Sequence, residues 1–214
     1  MPRLYRALPI PRAFPPEGIV LTGHGVAALG AIGFAVTPQY WWGGALAAIG
    51  VAGNHVCDMV DGAHARATGQ CRNGGELLDH FFDPLSFSYW MIGLGVAAHR
   101  LDLAIVCVLW IYATAVLTGI RAKITGVFTL ARIGPTEFKT LLTLLGFSLS
   151  IVFVMSPQPP IQTITTWSLW VLAALGVGQL VFNLIGSVGA VNRSGAEPDT
   201  SEWVSRKTAE SPSK

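Results

Sequence analysis

The chain has 214 residues, of which 51% are hydrophobic and only 12% charged. A soluble domain ordinarily carries about twice that charged fraction, so the composition excludes an ordinary water-soluble enzyme. The net charge of +2 says little until its distribution along the chain is traced.

Residues 1–18 interleave Arg3, Arg6 and Arg12 with Leu4, Tyr5, Leu8, Ile10 and Phe14. This reads as a basic segment lying on anionic lipid or, equally, as a topogenic tail. It is broken by proline and ends in no small-residue cleavage site, so no removable signal peptide is expected. A helix that crosses a bilayer needs roughly 20 apolar residues. The chain then offers six such stretches: Ile19–Val36, Trp41–Ala65, Gly75–Ala98, Leu103–Ile124, Pro135–Met155 and Thr163–Val191. The expectation is an all-α, polytopic membrane protein: six transmembrane helices over residues 19–191, around a cytosol-facing polar cavity. Residues 192–214 are polar and read as a disordered tail. Twenty-four glycines and seven tryptophans suit helices that pack through small residues and anchor with aromatic rings.

Six crossings put both termini on one side. Thirteen of the 14 Lys and Arg residues then fall on that side, with Arg100 alone opposite. The positive-inside rule makes the richer side cytosolic, together with the loops after the second and fourth spans. The three cysteines, Cys57, Cys71 and Cys107, show no metal or pairing spacing.

Charges inside a spanning segment are costly and usually face a functional cavity. Here Asp58, Asp61, Glu76, Asp79 and Asp83 gather at the cytosolic ends of spans two and three, and Glu137 enters span five. Asp58 and Asp61 are three apart, and Asp79 and Asp83 four apart, so each pair shares one helix face. By helical rise, Asp61 lies roughly 8 Å inside Arg66 and Asp83 roughly 12 Å inside Gly75. Four neighbouring carboxylates repel unless cations neutralise them. Oxygen ligands without His or Cys select Mg²⁺, Mn²⁺ or Ca²⁺ rather than zinc, and four aspartates suit a two-metal phosphoryl-transfer site. Gly62 and Ala65 fall near the Asp58/Asp61 face and Gly75 near the Asp79/Asp83 face, where missing side chains let a flat group approach. Arg66 can grip a diphosphate bidentately. The plainer reading, aspartates paired with Arg66 and Arg72 to hold a bundle, leaves most of the acids unneutralised.

From Asp58 to Asp83 these positions read D-x-x-D-G-x-x-A-R-x(8)-G-x-x-x-D-x-x-x-D. The string resembles the signature of the CDP-alcohol phosphotransferase family, with every signature position filled. The resemblance implies a six-helix membrane enzyme that moves a phospho-alcohol group from a CDP-alcohol to a second alcohol and releases CMP. It implies that Asp58, Asp61, Asp79 and Asp83 bind two divalent cations, Mg²⁺ or Mn²⁺. Gly62, Ala65, Arg66 and Gly75 then line the cytidine-diphosphate pocket. One departure stands out. Members often enter span one with Pro-Asn or Pro-Asp and a Thr three positions later, where this chain has Pro16-Glu17 and Val20.

The run Gly75-Glu76-Leu77-Leu78-Asp79-His80-Phe81-Phe82-Asp83 is similar to the G-E-L-x-D-H-x-x-D of choline and ethanolamine phosphotransferases. Gly134-Pro135-Thr136-Glu137 resembles their G-P-x-E. In that subfamily the histidine and the glutamate are implicated in activating a diacylglycerol hydroxyl. The resemblance therefore implies catalytic roles for His80, Glu137 and Asp83, with His80 or Asp83 taking the hydroxyl proton. Plainer roles are a partner that orients an aspartate for His80 and, for Glu137, a helix N-terminal acid.

The expected function is transfer from CDP-choline or CDP-ethanolamine to a lipid alcohol such as diacylglycerol. The first alternative is transfer from CDP-diacylglycerol to a soluble alcohol, with Arg121, Lys123, Arg132 and Lys139 as candidate acceptor-phosphate ligands or simple topology charges. An alternative of another class is a divalent-cation transporter. The expected partners are the CDP-alcohol donor, the lipid alcohol acceptor and membrane lipids, with no nucleic acid; a homodimer is admitted.

Overall fold

A computed structural model describes Tyr5, residues 8–128 and residues 134–194. Arg3, Arg6, Arg132 and the expected tail beyond residue 194 lie outside the described residues. Within them the chain is helical: α1 Pro16–Val36, α2 Trp41–Thr68, α3 Asn73–Ala98, α4 Leu101–Thr125, α5 Pro135–Met155 and α6 Ile161–Arg193. Each expected span coincides with one helix to within three residues. The first helix starts earlier than its apolar run because Pro16 and Glu17 suit a first turn: proline lacks an N–H that has no helical partner there, and the acid meets the positive end of the dipole.

Four helices, α1, α4, α5 and α6, are long and apolar enough to cross a membrane. α2 and α3 are long enough but fall below that measure of hydropathy, because they carry the polar motif. The outward surface is apolar, as lipid requires: Leu109, Val154, Phe182 and Ile185 are each 65% exposed or more. With no hydrophobic force to drive helices together in lipid, small residues and buried hydrogen bonds must do it. Gly30 and Gly50 let α1 and α2 touch backbone to backbone, and Gly44 and Gly146 do the same for α2 and α5. The Trp90 indole N–H donates to the Ala27 carbonyl at 2.9 Å, pinning α3 to α1.

α1 packs along both α2 and α3, while α5 packs on α2, and α4 and α6 close the far side of α3. The two motif helices have no comparable packing on each other. Gly69, with φ of 73° in the left-handed region, ends α2 and turns the chain toward α3. The motif faces thus border a cleft with α1 as its wall.

Candidate active site

Asp58 and Asp61 enter this cleft from the last turns of α2, and Asp79 and Asp83 from the first turns of α3. Asp61 is buried and accepts the Gly62 backbone N–H at 2.5 Å. Pro84 succeeds Asp83 inside α3; lacking an N–H, it withdraws the helical donor from the His80 carbonyl and loosens the helix beside the motif. Lys139, one turn into α5, brings the pairs together. Its side chain is 1% exposed, and its ammonium forms an ion pair with Asp58 and another with Asp83 at 2.9 Å. The Phe87 ring covers it, with the Nζ atom 5.3 Å from the ring centroid. Lys139, which the sequence offers as an acceptor-phosphate ligand or a topology charge, is instead turned inward and occupied by the two aspartates.

Among the described residues, no group of three or more His, Cys, Asp or Glu is gathered into a metal site. The donors nevertheless fit one. Asp58 and Asp83, from different helices, already share one cation, the Lys139 ammonium. Asp61 and Asp79, one from each motif helix, line a common cavity and supply two more carboxylates. All are hard oxygen donors of the kind Mg²⁺ and Mn²⁺ prefer.

Two cavities flank this cluster. The first, of about 280 Å³, is the more polar of the two and is bordered by charged side chains. Gly62, Ala65, Arg66 and Gly75 all line it, together with Asp61 and Asp79. The Arg66 guanidinium lies over Gly62, where a Cβ would stand 3.2 Å from Nη1. Pro16 and the two positions that depart from the family pattern, Glu17 and Val20, form the opposite wall. Glu17 is held 3.5 Å from Arg72. Cys71 opens onto the same space as an exposed free thiol.

The second cavity, of about 420 Å³, is apolar, with Phe87, Trp110, Phe128 and Phe138 among its walls and Asp83 and His80 at its edge. His80 is half-exposed, tilted against Phe128 with ring centroids 4.5 Å apart, and 3.9 Å from Glu76. Glu137 accepts the Gly134 backbone N–H at 2.9 Å, satisfying a free donor at the start of α5. Its carboxylate therefore serves the helix that carries Lys139, and His80 finds its acid in Glu76.

The model of the CDP-alcohol phosphatidyltransferase family matches residues 19–178, which contain both cavities' motif residues and Lys139. The chain belongs to the CDP-alcohol phosphatidyltransferase family. It is also similar to the phosphatidylinositol phosphate synthase of Mycolicibacterium smegmatis, 28% identical over 197 residues that cover 87% of this chain and 86% of that protein. Membership makes the chain an enzyme that transfers a substituted phosphate group, which decides against the transporter alternative. Within the family's segment, sequence spacing pointed to residues on α2 and α3 but not to Lys139, which lies in no motif. It also passed over His64, buried between two motif positions, whose polar partners lie 50 and 59 residues away.

Proposed function

We propose that the enzyme transfers a phosphatidyl group from CDP-diacylglycerol to a small water-soluble alcohol, releasing CMP. This revises the expectation of a CDP-aminoalcohol donor and a diacylglycerol acceptor. The supporting observation is the likeness to a phosphatidylinositol phosphate synthase over most of both chains. A protein of that name makes a phosphatidyl lipid whose headgroup is a phosphorylated polyol, an alcohol of the water phase. Placement of the cavities agrees with such a donor. The polar cavity meets Asp61 and Asp79, the apolar one meets Asp83, and one turn of α3 separates Asp79 from Asp83. A cytidine diphosphate in the first and acyl chains in the second would put the diphosphate across the aspartates.

In the reaction, the acceptor oxygen forms a bond to the phosphorus that carries the diacylglycerol. The P–O bond to CMP breaks, and the acceptor proton passes to a base. Asp83 suits that role because it borders both the aspartate cluster and the apolar cavity; His80, with Glu76 behind it, is the second candidate. Gly62, Ala65 and Gly75 leave backbone bare for the nucleotide, and Arg66 pairs with its diphosphate. Asp58, Asp61, Asp79 and Asp83 would hold the divalent cations on which the family generally depends. When bound, these cations neutralise the diphosphate and its leaving group. Glu137 anchors the start of α5 and so sets the reach of Lys139.

All six helices would cross the bilayer, with the termini and the aspartate cluster cytosolic, a topology that the thirteen-to-one basic asymmetry supports. The domain arrangement is then a basic surface segment over 1–18, a catalytic bundle over 19–191 and a tail from 192. The aminoalcohol reading retains the similarity of His80 and the Gly134–Glu137 run to choline and ethanolamine phosphotransferases. Purified protein offered radiolabelled CDP-diacylglycerol, CDP-choline and CDP-ethanolamine separates the two. Release of CMP from CDP-diacylglycerol alone, dependent on an added soluble alcohol, is expected. Release from CDP-choline or CDP-ethanolamine with diacylglycerol would reinstate the aminoalcohol reading.

A further inference from the structure

We propose that His64 is a positioning residue for the donor nucleotide: it fastens Tyr5 and the Phe14 carbonyl onto the end of α2 and thereby sets the Pro16–Glu17 wall of the polar cavity. The inference rests on reading that cavity as the nucleotide site. The His64 side chain is fully buried within α2 and does not itself line the cavity. Its Nε2 lies 2.8 Å from the Phe14 carbonyl oxygen. A carbonyl only accepts, so Nε2 carries the proton, and Nδ1 accepts from the Tyr5 hydroxyl at 3.1 Å. Both ring nitrogens are thus spent on the segment before α1. Gln70, just beyond the end of α2, repeats the grip by donating to the Arg12 carbonyl at 2.9 Å.

The residues after Phe14 make the anchor consequential. Pro15 and Pro16 are consecutive, and each fixes its own φ, so a displacement at Phe14 passes on to Glu17 with little slack. The Phe14 ring also presses on Gly18, where a Cβ would stand 2.8 Å from the ring. Pro16, Glu17 and Val20 in turn face Asp61, Gly62 and Gly75 across the cavity. His64 holds one side of the nucleotide site from behind the other.

Steady-state kinetics of CMP release by the full chain in detergent tests this. His64→Ala should raise KM for CDP-diacylglycerol about ten-fold with kcat within about two-fold, because the lost contacts organise binding and not the chemical step. His64→Gln, whose amide can still donate to the Phe14 carbonyl, should recover most of the loss. Trypsin should cut after Arg12 faster in the alanine variant than in the glutamine variant. A fall in kcat with unchanged KM, or a glutamine variant no better than alanine, overturns the proposal while leaving the assignment of the cavity intact. If the unaltered protein shows no cytidine-nucleotide dependence, both fall together. Should His64→Ala fail to fold, Tyr5→Phe decides, since it removes one hydroxyl: a raised KM supports the anchor and an unchanged KM overturns it.

Discussion

Lys139 of α5 stands 2.9 Å from Asp83 of α3 while its ammonium also pairs with Asp58 of α2. One buried cation therefore joins two motif helices that scarcely pack on one another. Removing a single partner from a buried ion pair typically costs about 3–5 kcal/mol, because the remaining charges lose their compensation. Lys139→Met should accordingly lower the thermal midpoint in detergent with chelator present, and added Mn²⁺ should restore much of it. The two melting curves, with and without Mn²⁺, check this; a midpoint equal to that of the unaltered protein under both conditions counts against the role.

Asp58→Asn and Asp79→Asn should each abolish CMP release at any Mg²⁺ or Mn²⁺ concentration while the protein still elutes as a folded species. Either amide removes a charged ligand, and the change cannot be repaired by more metal if the carboxylates act as a cluster. Substantial residual turnover in either variant would sink the two-metal assignment.

Cys71 is the exposed thiol of the polar cavity, whereas Cys107 is buried and Cys57 partly so. In the unaltered protein a maleimide should react first at Cys71, and CDP or CDP-diacylglycerol should slow that reaction. In a variant keeping Cys71 alone, an impermeant maleimide should reach it only from the cytosolic side of oriented vesicles. A cysteine placed at Pro157 should label only from the other side. Labelling of Cys71 that ignores nucleotide would detach the cavity from substrate binding.

His80→Ala should reduce turnover by roughly 10² to 10⁴ if the imidazole moves the acceptor proton, with little change in donor affinity. Glu137→Gln should act differently, since its carboxylate caps α5 at Gly134. The glutamine oxygen can still accept that N–H, and only the negative charge at the helix N-terminus is lost, worth about 0.3–1 kcal/mol, so a small drop in thermal midpoint and a modest loss of turnover are expected. The double variant should then be close to additive. Strong non-additivity would mean that the two residues act as a unit and that the cap is not the main role of Glu137.

The site was half legible from the chain. Asp58, Asp61, Gly62, Ala65, Arg66, Gly75, Asp79 and Asp83 sit within 26 residues on two consecutive helices, where helical periodicity alone puts them on common faces. All four small or basic residues expected at the nucleotide line one cavity. His64 was not legible, and Lys139 was legible only as a cytosolic-face charge, because the partners of each lie far along the chain. His80 and Glu137 were placed on the right helices, but their nearest partners, Glu76 and Gly134, come from local helix geometry that a motif does not display.

By itself the sequence determined the six helices of residues 16–193 to within three residues, the polar character of α2 and α3 and the family. Those properties come from local periodicity, from the cost of charge in lipid and from residues close in the chain. The tertiary structure decided that Lys139 pairs with Asp58 and Asp83, that polar and apolar cavities meet along α3, and which distant residues hold the stretch before α1. These depend on how α5 and the stretch before α1 pack against α2. Such packing is set by shape and buried hydrogen bonds between residues 50 to 81 positions apart, separations over which local patterning carries no signal.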